Sequence, residues 1–121
     1  MYIAVDFDGT CVTDEYPAIG RDIGAVPVLK ALVEEHSLIL WTMRSGAELE
    51  EAVEWFRERG IPLYGINENP SQRSWTSSPK AYAQVVIDDI ALGCPLIATG
   101  GGRPHVDWKK VREELERRGV L

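Results

Sequence analysis

Carboxylates and a hydroxyl group follow the apolar, strand-like runs of this chain. Asp6 and Asp8 follow the first run, Thr42 follows the second, and Asp88 and Asp89 follow a later one. In an open parallel sheet, the C-terminal ends of the strands point the same way, into the crevice where such folds bind ligands. The sequence therefore predicts that these five residues form one site.

The two carboxylates of the turn Asp-Phe-Asp-Gly-Thr are close enough to repel each other, so we expect them to divide the work. Asp6 is the predicted nucleophile, which attacks phosphorus and becomes an aspartyl-phosphate. Asp8 is the predicted general acid for the leaving oxygen, and afterwards the base that activates water. Gly9 and Thr10 are candidate substrate-binding residues, because glycine lets the backbone turn sharply and approach a phosphate.

The other polar groups at this edge are suited to binding charge. Asp88 and Asp89, together with Asp6, offer the hard oxygen ligands that Mg²⁺ prefers. Thr42 can donate a hydrogen bond to a phosphoryl oxygen. Lys80 precedes the strand that carries Asp88, where it could neutralise both Asp6 and the phosphate. The predicted chemistry is magnesium-dependent phosphoryl transfer, with Asp6, Asp8, Thr42 and Lys80 as its catalytic residues.

Strands and helices must alternate along the chain to position these residues. The pattern predicts an α/β fold with a parallel sheet of about five strands, covered on both faces. The predicted landmarks, in chain order, are a first strand over about 2–6, a helix from about Ala25, a second helix that begins at a Ser45–Glu48 capping box and stops at Gly60, a weak strand over 61–66, a fifth strand over 95–99, and a last helix capped by Asp107.

Length and charge limit the functions open to the chain. Its 121 residues predict a single domain, 1–121. A net charge of −6, with no dense basic block outside the last helix, argues against binding to long nucleic acid. No apolar run approaches the roughly 20 residues that span a bilayer, and Asp6 and Asp8 interrupt the N-terminal apolar stretch too early for a signal peptide. We therefore expect a cytoplasmic protein without a membrane partner.

Several residues have more than one interpretation at this stage. Arg44, two residues after Thr42, could hold the transferred phosphate or a second anionic group, or form a surface ion pair. Arg73 and Trp75 lie in a polar loop and could grip a base or a second phosphate; packing of Trp75 against its own loop is the alternative. Cys11 and Cys94 are interpreted as reduced thiols, with a redox pair at the mouth of the site as the alternative.

The order of these motifs resembles that of the haloacid dehalogenase-like superfamily of phosphohydrolases. The resemblance covers the whole chain, with 2–10 as the first motif, 38–42 as the second, Lys80 as the third and 85–89 as the fourth. It implies that Asp6 is both nucleophile and metal ligand, and that the backbone carbonyl of Asp8 is a ligand too. It also implies that Asp88 binds Mg²⁺ directly and that Asp89 binds it directly or through water.

The resemblance carries further expectations about architecture and substrate. It implies a Rossmann-like three-layer sandwich with strand order 3-2-1-4-5 and no cap domain, because neither interval between motifs has room for one. An open site of this kind suits a large substrate or closure by a neighbouring subunit of a homo-oligomer. The expected substrate is a phosphorylated small molecule. A non-hydrolytic phosphate-binding or regulatory domain and a phosphatase that processes nucleic-acid ends are the alternatives.

Overall fold

The computed structural model describes residues 1–121 as an α/β chain. Its elements, in chain order, are β1 Tyr2–Val5, α1 Ala25–Glu35, β2 Ser37–Leu40, α2 Gly46–Glu58, β3 Gly65–Ile66, a 3₁₀ helix Pro70–Ser74, β4 Val85–Ile87, β5 Leu96–Ile97, β6 His105–Val106 and α3 Trp108–Arg117. None of the helices is long and apolar enough to cross a bilayer.

The central sheet has four parallel strands in the order β3-β2-β1-β4. The predicted α/β class and the order of these four strands are therefore confirmed. Val5 is aligned with Leu40 on one side and with Ile87 on the other, so the three strands end at the same level. The residues that follow each strand consequently emerge at one edge of the sheet.

All three helices contribute to a core on one face of this sheet. Ile3 and Val5 of β1 pack in the same apolar cluster as Leu29 of α1, Phe56 of α2 and Leu115 of α3. The helices form because their apolar residues recur at helical spacing and can all face that cluster. Their ends are partly those predicted: the Asp107 side chain accepts a hydrogen bond from the Lys110 backbone N–H, and Gly60, after α2, has φ 69°.

The opposite face of the sheet is covered differently. Ala4 and Ile39 are buried on this side, in one row with Gly65 and Val86. A Cβ on Gly65 would collide with the carbonyl oxygen of Glu68, so the segment after β3 lies directly against the sheet. The third layer is therefore the chain between β3 and β4, which contains a 3₁₀ helix and no α-helix. Val86, on the edge strand, is left 53% exposed.

The predicted fifth strand does not join the sheet. Leu96–Ile97 pairs antiparallel with His105–Val106 in a separate two-stranded hairpin. Only residues 88–95 separate β4 from β5, whereas a crossover between neighbouring parallel strands needs about a dozen residues or more. The hairpin instead lies against the first loop, where the Val106 backbone N–H donates to the Gly9 carbonyl at 3.0 Å.

The predicted capping box at the start of α2 is also wrong. Ser45 occupies the N-cap position with extended backbone, but its side chain makes no capping hydrogen bond. The Glu48 carbonyl accepts a hydrogen bond from the guanidinium of Arg44 at 3.2 Å. The start of α2 is thus fixed by a residue just before the helix.

Candidate active site

Three carboxylates meet where β1 and β4 end. Asp6 follows β1, and its backbone N–H donates to the Ile87 carbonyl at 3.0 Å, which continues the pairing of the two strands past Val5. Asp88 and Asp89 follow Ile87 directly. One carboxylate oxygen from each of the three aspartates lies within 4.8 Å of the others. The strand register therefore brings together the three predicted side-chain ligands of the metal.

The electrostatics of this cluster are unfavourable without a cation. Burial, and then the neighbouring charge of Asp88, raises the pKa of Asp6 from its ordinary value of 3.8 to about 8. Burial is also the main cause that raises the pKa of Asp88. Desolvated like charges disfavour the ionised form of each other, and a bound cation reverses that preference. A set of carboxylate oxygens at this spacing fits Mg²⁺, which binds oxygen ligands.

Thr10 and Gly9 pack against the carboxylate cluster. The Thr10 hydroxyl donates to Asp6 Oδ2 and accepts from the Asp89 backbone N–H, both at 3.0 Å, and the residue is fully buried. Gly9 has φ 78°, and a Cβ there would lie 2.5 Å from Asp89 Oδ2. Both were expected to bind substrate, but neither lines the cavity described below. In this arrangement they order the aspartates.

Asp8 lies in very different surroundings. Arg44 Nε donates to Asp8 Oδ2 at 2.8 Å and Arg44 Nη2 donates to Asp8 Oδ1 at 2.7 Å, which makes a two-pronged ion pair. Arg44 is only 2% exposed, and its guanidinium carbon lies 5.1 Å from the centre of the Phe7 ring and 5.2 Å from that of Tyr16. The hydrogen bonds to Asp8 are the main cause that raises the pKa of Arg44. The general-acid candidate is thus tied to a buried cation.

The remaining N–H groups of Arg44 also donate within the protein. Nη1 donates to the carbonyls of Pro17 and Glu48 at 3.2 Å, and Nη2 donates to the carbonyl of Ala18 at 2.7 Å. A guanidinium has five N–H groups, and all five are engaged here. None is left for a phosphate in this arrangement, so the predicted contact of Arg44 with substrate gives way to contacts with Asp8 and the loop before α1.

Thr42 lies beside Asp8 and faces the cavity. Its hydroxyl oxygen accepts from the Arg44 backbone N–H at 3.1 Å, which leaves the hydroxyl proton available to a ligand. Its own backbone N–H donates to Asn67 Oδ1 at 2.8 Å. Asn67 was not among the predicted site residues, although it follows β3 much as Thr42 follows β2. Thr42 was predicted because it is a polar residue that follows a strand, and the same criterion applies to Asn67.

The structure does not bring Lys80 to this site. Its side chain is exposed, forms no ion pair with an acidic group and does not line the cavity. Its backbone carbonyl accepts a hydrogen bond from the Gln72 side chain at 2.9 Å. Arg73 and Trp75 also lie away from the cavity, where Arg73 pairs with Glu68 and the ring of Trp75 packs edge-on against that of Tyr82. For Trp75, this is the alternative in which it packs against its own segment.

A cavity of about 890 Å³ opens at this edge of the sheet. Its wall contains Asp6, Asp8, Asp14, Tyr16, Trp41, Thr42, Met43, Arg44, Asn67, Asp88, Asp89, Ile90 and Arg103. Asp14 and Arg103 form an ion pair at 2.8 Å across its mouth. Sequence reasoning missed both, because nothing local links a loop residue to a partner about 90 positions away. The cavity has the size of a small-molecule site.

The two cysteines are free thiols. Cys11 is buried, its thiol donates to the Asp6 carbonyl at 3.3 Å, and burial raises its pKa well above its usual range. A thiol held in the protonated form is a poor nucleophile. Cys11 is accordingly a small packing group beneath the site.

Comparison with known proteins finds one solved structure that is similar to this chain. No protein-family description and no curated protein matches it. A solved structure described as that of a conserved protein coded by a locus from Bacteroides thetaiotaomicron is 41% identical in sequence. The match covers 98% of this chain and 91% of the other, with a TM-score of 0.75. The likeness therefore extends over the whole fold described here.

Proposed function

We propose that this chain, which belongs to the same family as the conserved Bacteroides thetaiotaomicron protein, is a magnesium-dependent phosphomonoester hydrolase of the haloacid dehalogenase-like type. One observation carries the proposal. Two aspartates separated by a single residue have opposite surroundings: Asp6 lies among other carboxylates, and Asp8 is gripped by a guanidinium. The first environment suits a nucleophile that shares a metal, and the second holds an acid–base group in one orientation.

The metal in this proposal is held by Asp6, Asp88 and Asp89. The fit comes from the donor set: oxygen atoms close together, all from carboxylates, with the pKa values of Asp6 and Asp88 raised mainly by burial. When bound, Mg²⁺ would supply positive charge for the phosphate oxygens and keep Asp6 ionised. The Asp8 carbonyl is a further ligand by resemblance.

The reaction proceeds in two displacements on this chain's own groups. A carboxylate oxygen of Asp6 attacks phosphorus, the bond to the leaving oxygen breaks, and Asp8 gives that oxygen a proton. Water then attacks the aspartyl-phosphate while Asp8 takes up a proton from it, which releases phosphate and restores the carboxylate of Asp6 and the protonated carboxyl group of Asp8. The Thr42 hydroxyl donates to a phosphoryl oxygen, where negative charge concentrates during transfer.

The proposal requires Asp8 to exchange a proton while it keeps both contacts with Arg44. Each of its oxygens accepts one hydrogen bond from the guanidinium, and a carboxylate oxygen has a further lone pair for the proton. Because the guanidinium is buried and fixed by three backbone carbonyls, it holds the carboxyl group in one orientation. Arg44 is in this proposal a positioning residue that acts through Asp8.

The test is phosphate release from a panel of phosphorylated metabolites, nucleotides and 3′-phosphorylated oligonucleotides. We expect turnover with Mg²⁺, loss of turnover on chelation and recovery when Mg²⁺ is added back. Asp6→Asn serves as the blank for contaminating phosphatases. Dependence on zinc in place of Mg²⁺ would contradict the carboxylate metal site. Binding of Mg²⁺ without turnover of any ester would favour the non-hydrolytic, phosphate-binding alternative.

A further inference from the structure

Exposed apolar side chains surround the mouth of the acidic cavity. Met43 is 98% exposed, Ile90 81%, Tyr16 57% and Trp41 37%, and all four belong to its wall. They come from three separate connections, those after β1, β2 and β4. A group of exposed apolar residues beside a concave polar site is typical of a surface that contacts a ligand. The polar centre and the apolar rim thus form one continuous cavity.

The charges of the cavity limit what the rim can receive. Five aspartates line the wall, and three of them form the carboxylate cluster. The wall has two cations: Arg44 has no free N–H group, and Arg103 is paired with Asp14. A leaving group with a further negative charge would therefore lie near carboxylates without an unpaired cation to meet it. An uncharged leaving group meets no such penalty.

We propose that Tyr16, Trp41 and Met43 form the leaving-group site, and that it takes an uncharged group ending in a planar aromatic ring. The inference rests on the proposed function, since it names the substrate class of the same site. Aromatic rings stack on Tyr and Trp, and the flexible thioether of Met packs against their edges. The substrate class is a phosphomonoester of an aryl-bearing alcohol, whose ring comes from a nucleoside or from a simple benzyl-type group.

Tyr16 is already held in place to receive a ring. The guanidinium of Arg44 lies 5.2 Å from the centre of the Tyr16 ring. The backbone after Tyr16 is also held in place, because the carbonyls of Pro17 and Ala18 accept hydrogen bonds from the same guanidinium. A fixed ring loses little conformational entropy on stacking. The buried Arg44 therefore connects the acid–base group to the leaving-group site.

The test uses pairs of esters that differ only in the ring. Benzyl phosphate and cyclohexylmethyl phosphate are both esters of primary alcohols, as are adenosine 5′-monophosphate and ribose 5-phosphate. We expect kcat/KM with Mg²⁺ to favour the aromatic member by about tenfold, the size of a stacking contact. The pair with the larger preference identifies the source of the ring. Trp41→Leu and Tyr16→Leu should each lower that ratio severalfold, whereas Trp75→Leu, at an exposed aromatic residue away from the cavity, should not.

A binding measurement separates this inference from the hydrolase proposal. Titration of Asp6→Asn with adenosine 5′-monophosphate and ribose 5-phosphate, in the presence of Mg²⁺, needs no turnover. Tighter binding of the nucleotide without hydrolysis by the wild type would keep the leaving-group site and reject the hydrolase. Hydrolysis with equal rates within both pairs would keep the hydrolase and reject the leaving-group site. Absence of both binding and turnover would reject both.

The rim could instead be covered by a second copy of the chain. Light scattering of the wild type and of Met43→Asp decides this point. A monomer in both cases supports the leaving-group site. A wild-type dimer that dissociates in Met43→Asp would overturn it, because the exposed rim would then be an interface.

Discussion

Asp6 and Asp8 are two residues apart, yet they belong to two different regions of the site. The Asp6 region, between β1 and β4, gathers carboxylates around buried Thr10 and has no cation of its own. The Asp8 region, between β1 and β2, is centred on buried Arg44. Its guanidinium donates hydrogen bonds to the Asp8 carboxylate and to three backbone carbonyls. In the proposed function a ligand completes the first region, whereas the protein itself completes the second. We therefore expect metal and pH to act on the first, and substitution of one cation to act on the second.

The largest effect is expected when the Asp6 region loses its nucleophile. Asp6→Asn should lower kcat at least about a thousandfold for every ester, because the amide cannot form the aspartyl-phosphate. Asp8→Asn should fail with alkyl esters; with p-nitrophenyl phosphate it should release one burst of p-nitrophenolate, which needs no proton, and then stall at the aspartyl-phosphate, because no base activates water. Residual activity of Asp6→Asn within about tenfold of the wild type would refute the assignment, provided that thermal unfolding shows an intact fold.

A smaller effect is expected when the Asp8 region loses its guanidinium. Arg44→Lys keeps the charge but cannot make the two-pronged contact, so kcat for an alkyl ester should fall about a hundredfold with KM changed little. The loss should shrink for p-nitrophenyl phosphate, because Arg44 acts through the proton donor. Arg57→Lys, at an exposed arginine on α2, is the control. A rise in KM with unchanged kcat would instead restore Arg44 to the phosphate-binding role that its position in the sequence suggested.

The smallest effect is a change of stability with pH. We expect it to arise from the Asp6 region. The folded chain holds the Asp6 proton up to about pH 8, whereas an ordinary aspartate loses it near 3.8, so between these values the folded state binds more protons. Without metal, stability must then fall as pH rises, and we expect Tm to be about 5 °C lower at pH 8 than at pH 5.5. Mg²⁺ should remove this slope.

Two variants check the origin of that slope. Asp88→Asn should reduce the slope in the absence of metal without removing it, because burial is the larger cause of the raised pKa of Asp6 and the charge of Asp88 is the second. Glu50→Gln, at an exposed residue of α2, removes the same charge and should leave the slope unchanged. A Tm that rises towards pH 8 without metal would contradict the electrostatic account of the Asp6 region.

The Asp6 region could be predicted from the sequence, and the Asp8 region could not. Strand ends are local signals, so the register that brings Asp6 next to Asp88 follows once the two apolar strands are recognised. The role of Arg44 depends on a carboxylate 36 positions earlier and on carbonyls of an irregular loop, which no local pattern specifies. Lys80 shows the opposite case. Its position in the motif order predicted a site residue, but the fold leaves its side chain exposed and away from the cavity.

The errors in the fold have a similar cause. The apolar run at 95–99 was recognised, but its partner was not, because pairing depends on the length of the connection to each candidate strand. A short connection through Gly100–Gly102 to β6 is available, and a parallel crossover from β4 is not. The capping box at Ser45 did not form, since the Ser45 side chain makes no capping hydrogen bond.

The Asp-Phe-Asp-Gly-Thr turn depends on residues that are synthesised long after it. The Gly9 carbonyl accepts from the Val106 backbone N–H at 3.0 Å, and the Thr10 carbonyl accepts from Trp108 Nε1 at 2.6 Å. A chain growing on the ribosome therefore exposes Asp6 and Asp8 early, in a turn that lacks both of these hydrogen bonds. The turn acquires its final shape only when the hairpin and α3 have emerged. We therefore expect incomplete chains to present these aspartates without an ordered site.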